Sequence, residues 1–145
     1  MIPSKGFAQV LVLRDIPEVL RVMKHARVSV EGARIMSTKG IFRTVFVTGI
    51  DIRAASILKQ EMLSRGGEVA TSREVYQLGG GEATCLVMGT LTQFERLLPK
   101  LRRQPFGLRA LADAIDAALK NHDTPVPLCT EGLDLTEAPL LMGVV

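Results

Sequence analysis

A β-branched run followed at once by a capped amphipathic helix places the strongest limit on this chain. Thr44 to Thr48 reads Thr-Val-Phe-Val-Thr and stops at Gly49, a composition that suits a pleated, half-buried strand. Asp51 then stands where a carboxylate accepts from the free amides of a helix start. Ala54, Ala55, Ile57, Leu58 and Met62 follow on one helical face. Gly66-Gly67 supplies the left-handed residue that ends a helix, and Glu68-Val69-Ala70 resumes an extended chain. A strand–helix–strand unit buries its apolar stripe only by packing helix on sheet, so the architecture is α/β, with α+β left open.

The same grammar recurs along the chain. Phe7 to Leu13 is short and apolar and reads as a buried strand. Asp15 caps a helix with Pro17 in its first turn, Glu18 three residues on, and Ile16, Val19, Leu20 and Met23 as its stripe. Gly79-Gly80-Gly81 marks a turn before the strand Thr84 to Met88. Thr90 and Gln93 form a capping-box pattern ahead of Leu91, Phe94, Leu97, Leu98 and Leu101. Pro105 breaks that helix, and Leu108, Leu111, Ala112, Ile115 and Leu119 make the stripe of another. The expectation is a domain over residues 1–121, a small sheet of about four strands packed with about four helices, followed by a linker over 122–127. Residues 128–145 then read as a hairpin about Glu131-Gly132 and a wholly apolar strand, Pro139 to Val145, which needs cover on both faces.

Composition excludes several functions. A net charge of +3 and five Phe, one Tyr and no Trp give neither the basic face nor the stacking platform of a nucleic-acid binder. No run of eighteen apolar residues is present, so no membrane span is expected. Pro3 and Gly6 break any signal-peptide core. Two cysteines outside any CxxC spacing point to a cytoplasmic chain with reduced thiols.

Little chemistry is visible. His25 and His122 stand alone, outside any metal spacing, and Cys85 and Cys129 have no base beside them. The turns at Gly49 and Gly89 join strand to helix, where a small ligand can sit, but they lack the phosphate-loop spacings, and Asp51 repels an anion. Arg96, Lys100, Arg102, Arg103 and Arg109 form the densest basic run. They read as the solvent face of a helix, and they are the candidate interaction surface if the chain is a free-standing protein-interaction module.

Four stretches carry a resemblance. They are Gly32 to Met36 with Lys39 and Phe42; Ala54 to Leu63 running into Gly66-Gly67; Leu86 to Leu91; and Leu101 to Leu108. In order and spacing they resemble the longer bacterial form of dihydropteroate synthase, which carries an N-terminal accessory domain before its catalytic barrel. Arg53 and Ser56 depart from the Pro and Asn of that pattern. Pro139 to Val145 resembles the first strand of the family's (β/α)₈ barrel, so the resemblance implies a chain cut one residue before an Asn that helps hold magnesium.

The resemblance implies a parent transferase of folate biosynthesis that joins p-aminobenzoate to dihydropterin methyl diphosphate. Magnesium, the pterin-binding pocket and both substrates then belong to the barrel. No catalytic, cofactor-binding or metal residue is expected in this chain, its partner is the parent's barrel, and a homodimer stays open.

Overall fold

The computed structural model describes residues 6–76 and 80–124, together with the backbone of residues 129–130 and 133–134. Five helices and a three-stranded sheet make up the main body, a mixed helix-and-sheet fold. The helices are α1 (Ile16–His25), α2 (Val30–Met36), α3 (Ile52–Leu63), α4 (Leu91–Leu101) and α5 (Leu108–Asp123). The strands are β1 (Phe42–Asp51), β2 (Glu68–Thr71) and β3 (Glu82–Thr90). A separate two-residue ladder pairs β4 (Cys129–Thr130) with β5 (Leu133–Asp134), antiparallel, on either side of Glu131-Gly132.

The β1–α3–β2 unit is split. The sheet order is β1-β3-β2, and β3 runs antiparallel to both neighbours, so β1 and β2 are parallel strands with β3 between them. Val45 pairs with Val87, which pairs with Val69; Val47 pairs with Cys85. These odd-numbered positions point to one face. There they meet Leu58 and Met62 of α3, Phe94, Leu97 and Leu101 of α4, and Ala112 and Ile115 of α5 in a single buried cluster. The opposite face of β1 carries Phe42 and Phe46, both exposed.

Local chemistry explains where the helices start and stop. The Asp15 carboxylate accepts from the Glu18 amide at 2.7 Å, while the Glu18 carboxylate accepts from the Arg14 amide at 2.8 Å. At the end of α3 the Gly66 amide donates to Leu63 O and the Gly67 amide to Met62 O, with Gly66 at φ +76. That is the left-handed stop anticipated for this glycine pair. α1 ends the same way: Arg27 donates to Lys24 O and Val28 to Met23 O. Here the left-handed residue is Arg27, at φ 57.

Three features differ from the sequence reading. Phe7 to Leu13 forms no strand: Phe7, Val10 and Val12 are 87%, 91% and 84% exposed. Apolar, β-branched content suits a strand, but a strand also needs a paired edge, and this segment pairs with none among the described residues. The second difference is α2, seven residues capped by the Ser29 hydroxyl, which contributes no buried residue. A helix without a buried stripe leaves little periodic signal. α5 ends at Asp123, two residues past the boundary expected at Asn121, and the apolar strand expected over 139–145 lies outside the described residues.

Candidate functional site

Both strand–helix turns are occupied by the chain's own groups. Asp51 accepts from the Arg53 amide at 2.7 Å, and the Arg53 guanidinium reaches its two carboxylate oxygens at 3.0 and 2.7 Å. Those hydrogen bonds from the Arg53 side chain, then its backbone amide, hold the Asp51 carboxyl down at about 2. Arg53 also lies over the Phe106 ring, 4.0 Å from its centroid, so this departure from the family pattern closes a local clasp. A carboxylate at the mouth of α3 disfavours a phosphate there.

The turn at Gly89 is closed by packing. Thr90 and Gln93 form the full capping box, with the Thr90 amide donating to Gln93 Oε1 at 2.7 Å and the Gln93 amide donating to Thr90 Oγ1 at 3.4 Å. The Met62 methyl lies directly against Gly89, and a Cβ on Gly67 would stand 2.5 Å from that same carbon. Met62 is fully buried. Hence α3, the Gly66-Gly67 stop and the β3–α4 turn meet at one side chain, and no room is left for a ligand.

The basic run divides. Arg102 bonds to Asp113 at 2.8 Å and to Asp116 at 3.0 Å, bracing the end of α4 against α5. Arg96, Lys100, Arg103 and Arg109 are exposed, as the solvent-face reading requires. His25 sits in the last turn of α1, and His122 Nδ1 lies 3.1 Å from Asp123. Cys85 is a free thiol inside the core, and burial pushes its pKa up, the reverse of an activated nucleophile. The side chain of Cys129 is outside the described residues. Among the described residues no group of three or more His, Cys, Asp or Glu is placed to hold a metal ion.

Sequence reasoning missed one long-range cluster. The Arg43 guanidinium on β1 donates to Arg14 O at 2.6 Å and to Asp123 Oδ1 at 2.8 Å, joining the chain just ahead of the α1 cap to the end of α5. Burial raises the Asp123 pKa, but the bonds from Arg43 and His122 outweigh it and hold the carboxyl below its ordinary value. Arg43 Nε is buried and has no partner among the described residues. These groups lie 29 and 80 positions apart in sequence, and no local pattern ties them together.

Two recesses open on the surface, one of them beside this cluster. One, of about 500 Å³, lies between α1 and α2 and is lined by Leu20, Lys24, Val28, Val30, Ala33, Arg34 and Ser37. The other runs along β1 beside α5 as two adjoining hollows of about 200 and 220 Å³.

Comparison with known proteins gives a consistent relationship. A protein of Halobacterium salinarum named probable bifunctional folylpolyglutamate synthase/dihydropteroate synthase is 38% identical over 109 residues, 71% of this chain and 13% of its own length. A Helicobacter pylori protein named bifunctional dihydropteroate synthase/dihydropteroate reductase is 33% identical over 101 residues, 70% of this chain and 27% of its own length. A Haloferax volcanii protein, named like the first, is 31% identical over 112 residues, 72% of this chain and 13% of its own length. No family model and no solved structure matches. The chain is therefore related to a region of dihydropteroate synthase-containing proteins, and it spans between 13% and 27% of the curated relatives it matches.

Proposed function

We propose that this chain is the N-terminal accessory portion of a dihydropteroate synthase, that it performs no reaction itself, and that it acts as a docking or stabilising domain for the parent's catalytic barrel. One observation carries the reading: three of the four stretches that resemble the synthase are built around packing residues, while the first, Gly32 to Met36 with Lys39 and Phe42, buries none. Ala54, Ala55, Leu58 and Met62 on α3, Gly89 at the β3–α4 turn, and Leu101 and Leu108 between α4 and α5 are all buried. Leu58, Met62, Leu101 and Leu108 lie in one core cluster. Similarity spent on packing specifies a fold, whereas similarity that specifies chemistry falls on polar groups facing a cavity. On this reading the pterin site, p-aminobenzoate and magnesium all belong to the barrel, in the compartment where folate is made, the cytoplasm.

The test has two arms. The 145-residue chain, given p-aminobenzoate, dihydropterin methyl diphosphate and magnesium, is expected to form no dihydropteroate, and turnover would overturn the proposal. The intact native protein is expected to weigh well above 15.8 kDa, with room for a barrel of roughly 250 residues. A native mass of 15.8 kDa would equally overturn it.

A further inference from the structure

Two unmet demands stand side by side in this molecule. The first is the segment Phe7–Leu13. It leaves the body at Arg14, whose carbonyl is held by Arg43, and it runs outward with Phe7, Val10 and Val12 almost wholly exposed. The second is the outer edge of β1, which pairs with no strand among the described residues because β3 occupies its other side. A groove follows that edge from Arg43 to Thr48, with Ala114 and Ala118 of α5 along its far wall. An unpaired edge beside an apolar groove is a template for one more strand.

We propose that Phe7–Leu13 is an exchange arm: in a dimer, each copy lays this segment along β1 of the other as an added strand. Three matches support this. The first is length: six β1 residues line the groove, about 20 Å of strand, and a seven-residue arm covers about 23 Å. The second is chemistry on both faces. A strand added beside β1 alternates its side chains between the helix-covered side, where Val45 and Val47 lie, and the open side, where Phe42 and Phe46 lie. Both sides carry apolar groups, and so does the arm in both parities: Phe7, Leu11 and Leu13 on one, with Gln9 its single polar side chain, and Ala8, Val10 and Val12 on the other.

The third match is symmetry: arm and groove on one chain make the contact self-complementary, so reciprocal exchange closes with two-fold symmetry. The small side chains of Ala114 and Ala118 leave the depth that an incoming strand needs.

The experiment is sedimentation of the 145-residue chain, with circular dichroism as the check on folding. The full chain is expected to be dimeric at roughly 100 µM. Val10→Asp with Val12→Asp alters only exposed arm residues, and Ala118→Arg fills the groove from an exposed helix position, so each variant keeps its helical signal and becomes monomeric. Mixing the two variants joins an intact arm to an intact groove, and a heterodimer weaker than the parent dimer is expected. A full chain that is monomeric at that concentration, a variant that stays dimeric, or a mixture that forms no heterodimer overturns the proposal. Protection of the residue 7–13 amides in a monomer would place the arm on its own edge and overturn it as well.

Discussion

The node at Met62 yields a prediction whose sign depends on its neighbour. Gly89 lies within β3, where its backbone needs no left-handed conformation, so only space forbids a side chain there. Gly89→Ala drives a methyl into the Met62 terminus and against Gln93 Oε1, 2.8 Å away. Met62 is fully buried and is also crowded by Gly67, so it has little freedom to retreat. Overpacking of this kind costs about 1–3 kcal/mol. Met62→Ala removes a buried side chain at a cost of about 2–5 kcal/mol. In that background the Met62 obstacle has gone and only the Gln93 Oε1 contact remains, against which replacing a strand glycine by alanine restores about 0.5–1 kcal/mol of backbone entropy. The double variant is therefore expected to come close to Met62→Ala alone, giving a coupling of about 1–3 kcal/mol. Urea unfolding followed by far-ultraviolet circular dichroism measures this, since the chain has no Trp to report by fluorescence. Equal destabilisation by Gly89→Ala in both backgrounds would refute the steric account.

Other consequences are open to equally direct measurement. Arg27 occupies the left-handed position that ends α1, at φ 57, so Arg27→Gly is expected to stabilise the fold by about 1 kcal/mol. Arg27→Ala should bring no such gain, and a gain with Ala would assign the effect to charge instead. Asp51, Asp116 and Asp123 all have folded-state pKa values below the ordinary 3.8. Their contribution to stability is present above that value and is lost as pH falls through the folded values, about 2 for Asp51. The unfolding midpoint should thus decline from pH 4 downward, less steeply in Asp51→Asn, and a flat profile to pH 2 would contradict the ion-pair geometry. In a Cys129→Ser background, thiol reagents should modify Cys85 only at the rate of opening, because the thiol is buried and its pKa raised. Rapid labelling of the native fold would place Cys85 outside the core.

What the chain announces about itself follows from how far each signal reaches. Helix starts and stops depend on groups three or four residues apart, and Asp15 with Glu18, Asp51, Gly66 and the Thr90–Gln93 box all sit where local chemistry puts them. The strands of the core were legible for a related reason: β1 and β3 carry β-branched or apolar residues that a buried sheet requires. Their order was not, because inserting β3 between β1 and β2 is decided by packing across the sheet rather than by neighbours in sequence. The Arg43–Asp123 pair was hidden for that reason too, its partners being 80 residues apart. Phe7–Leu13 shows the converse. Its content as a strand was read without difficulty, yet content specifies only what a segment can bury, and the surface that accepts it must come from elsewhere. If that surface is β1 of a second copy, the strand assignment becomes true of the dimer while it is false of one chain. Three of the four stretches resembling the synthase obey the local rule: they hold caps, stops and core contacts, so they were legible from sequence while the chemistry of a site was not; the stretch on α2 buries nothing. A domain whose similarity lies in packing is recognisable by its fold-bearing residues, and its use has to be sought in the surfaces those residues hold in place.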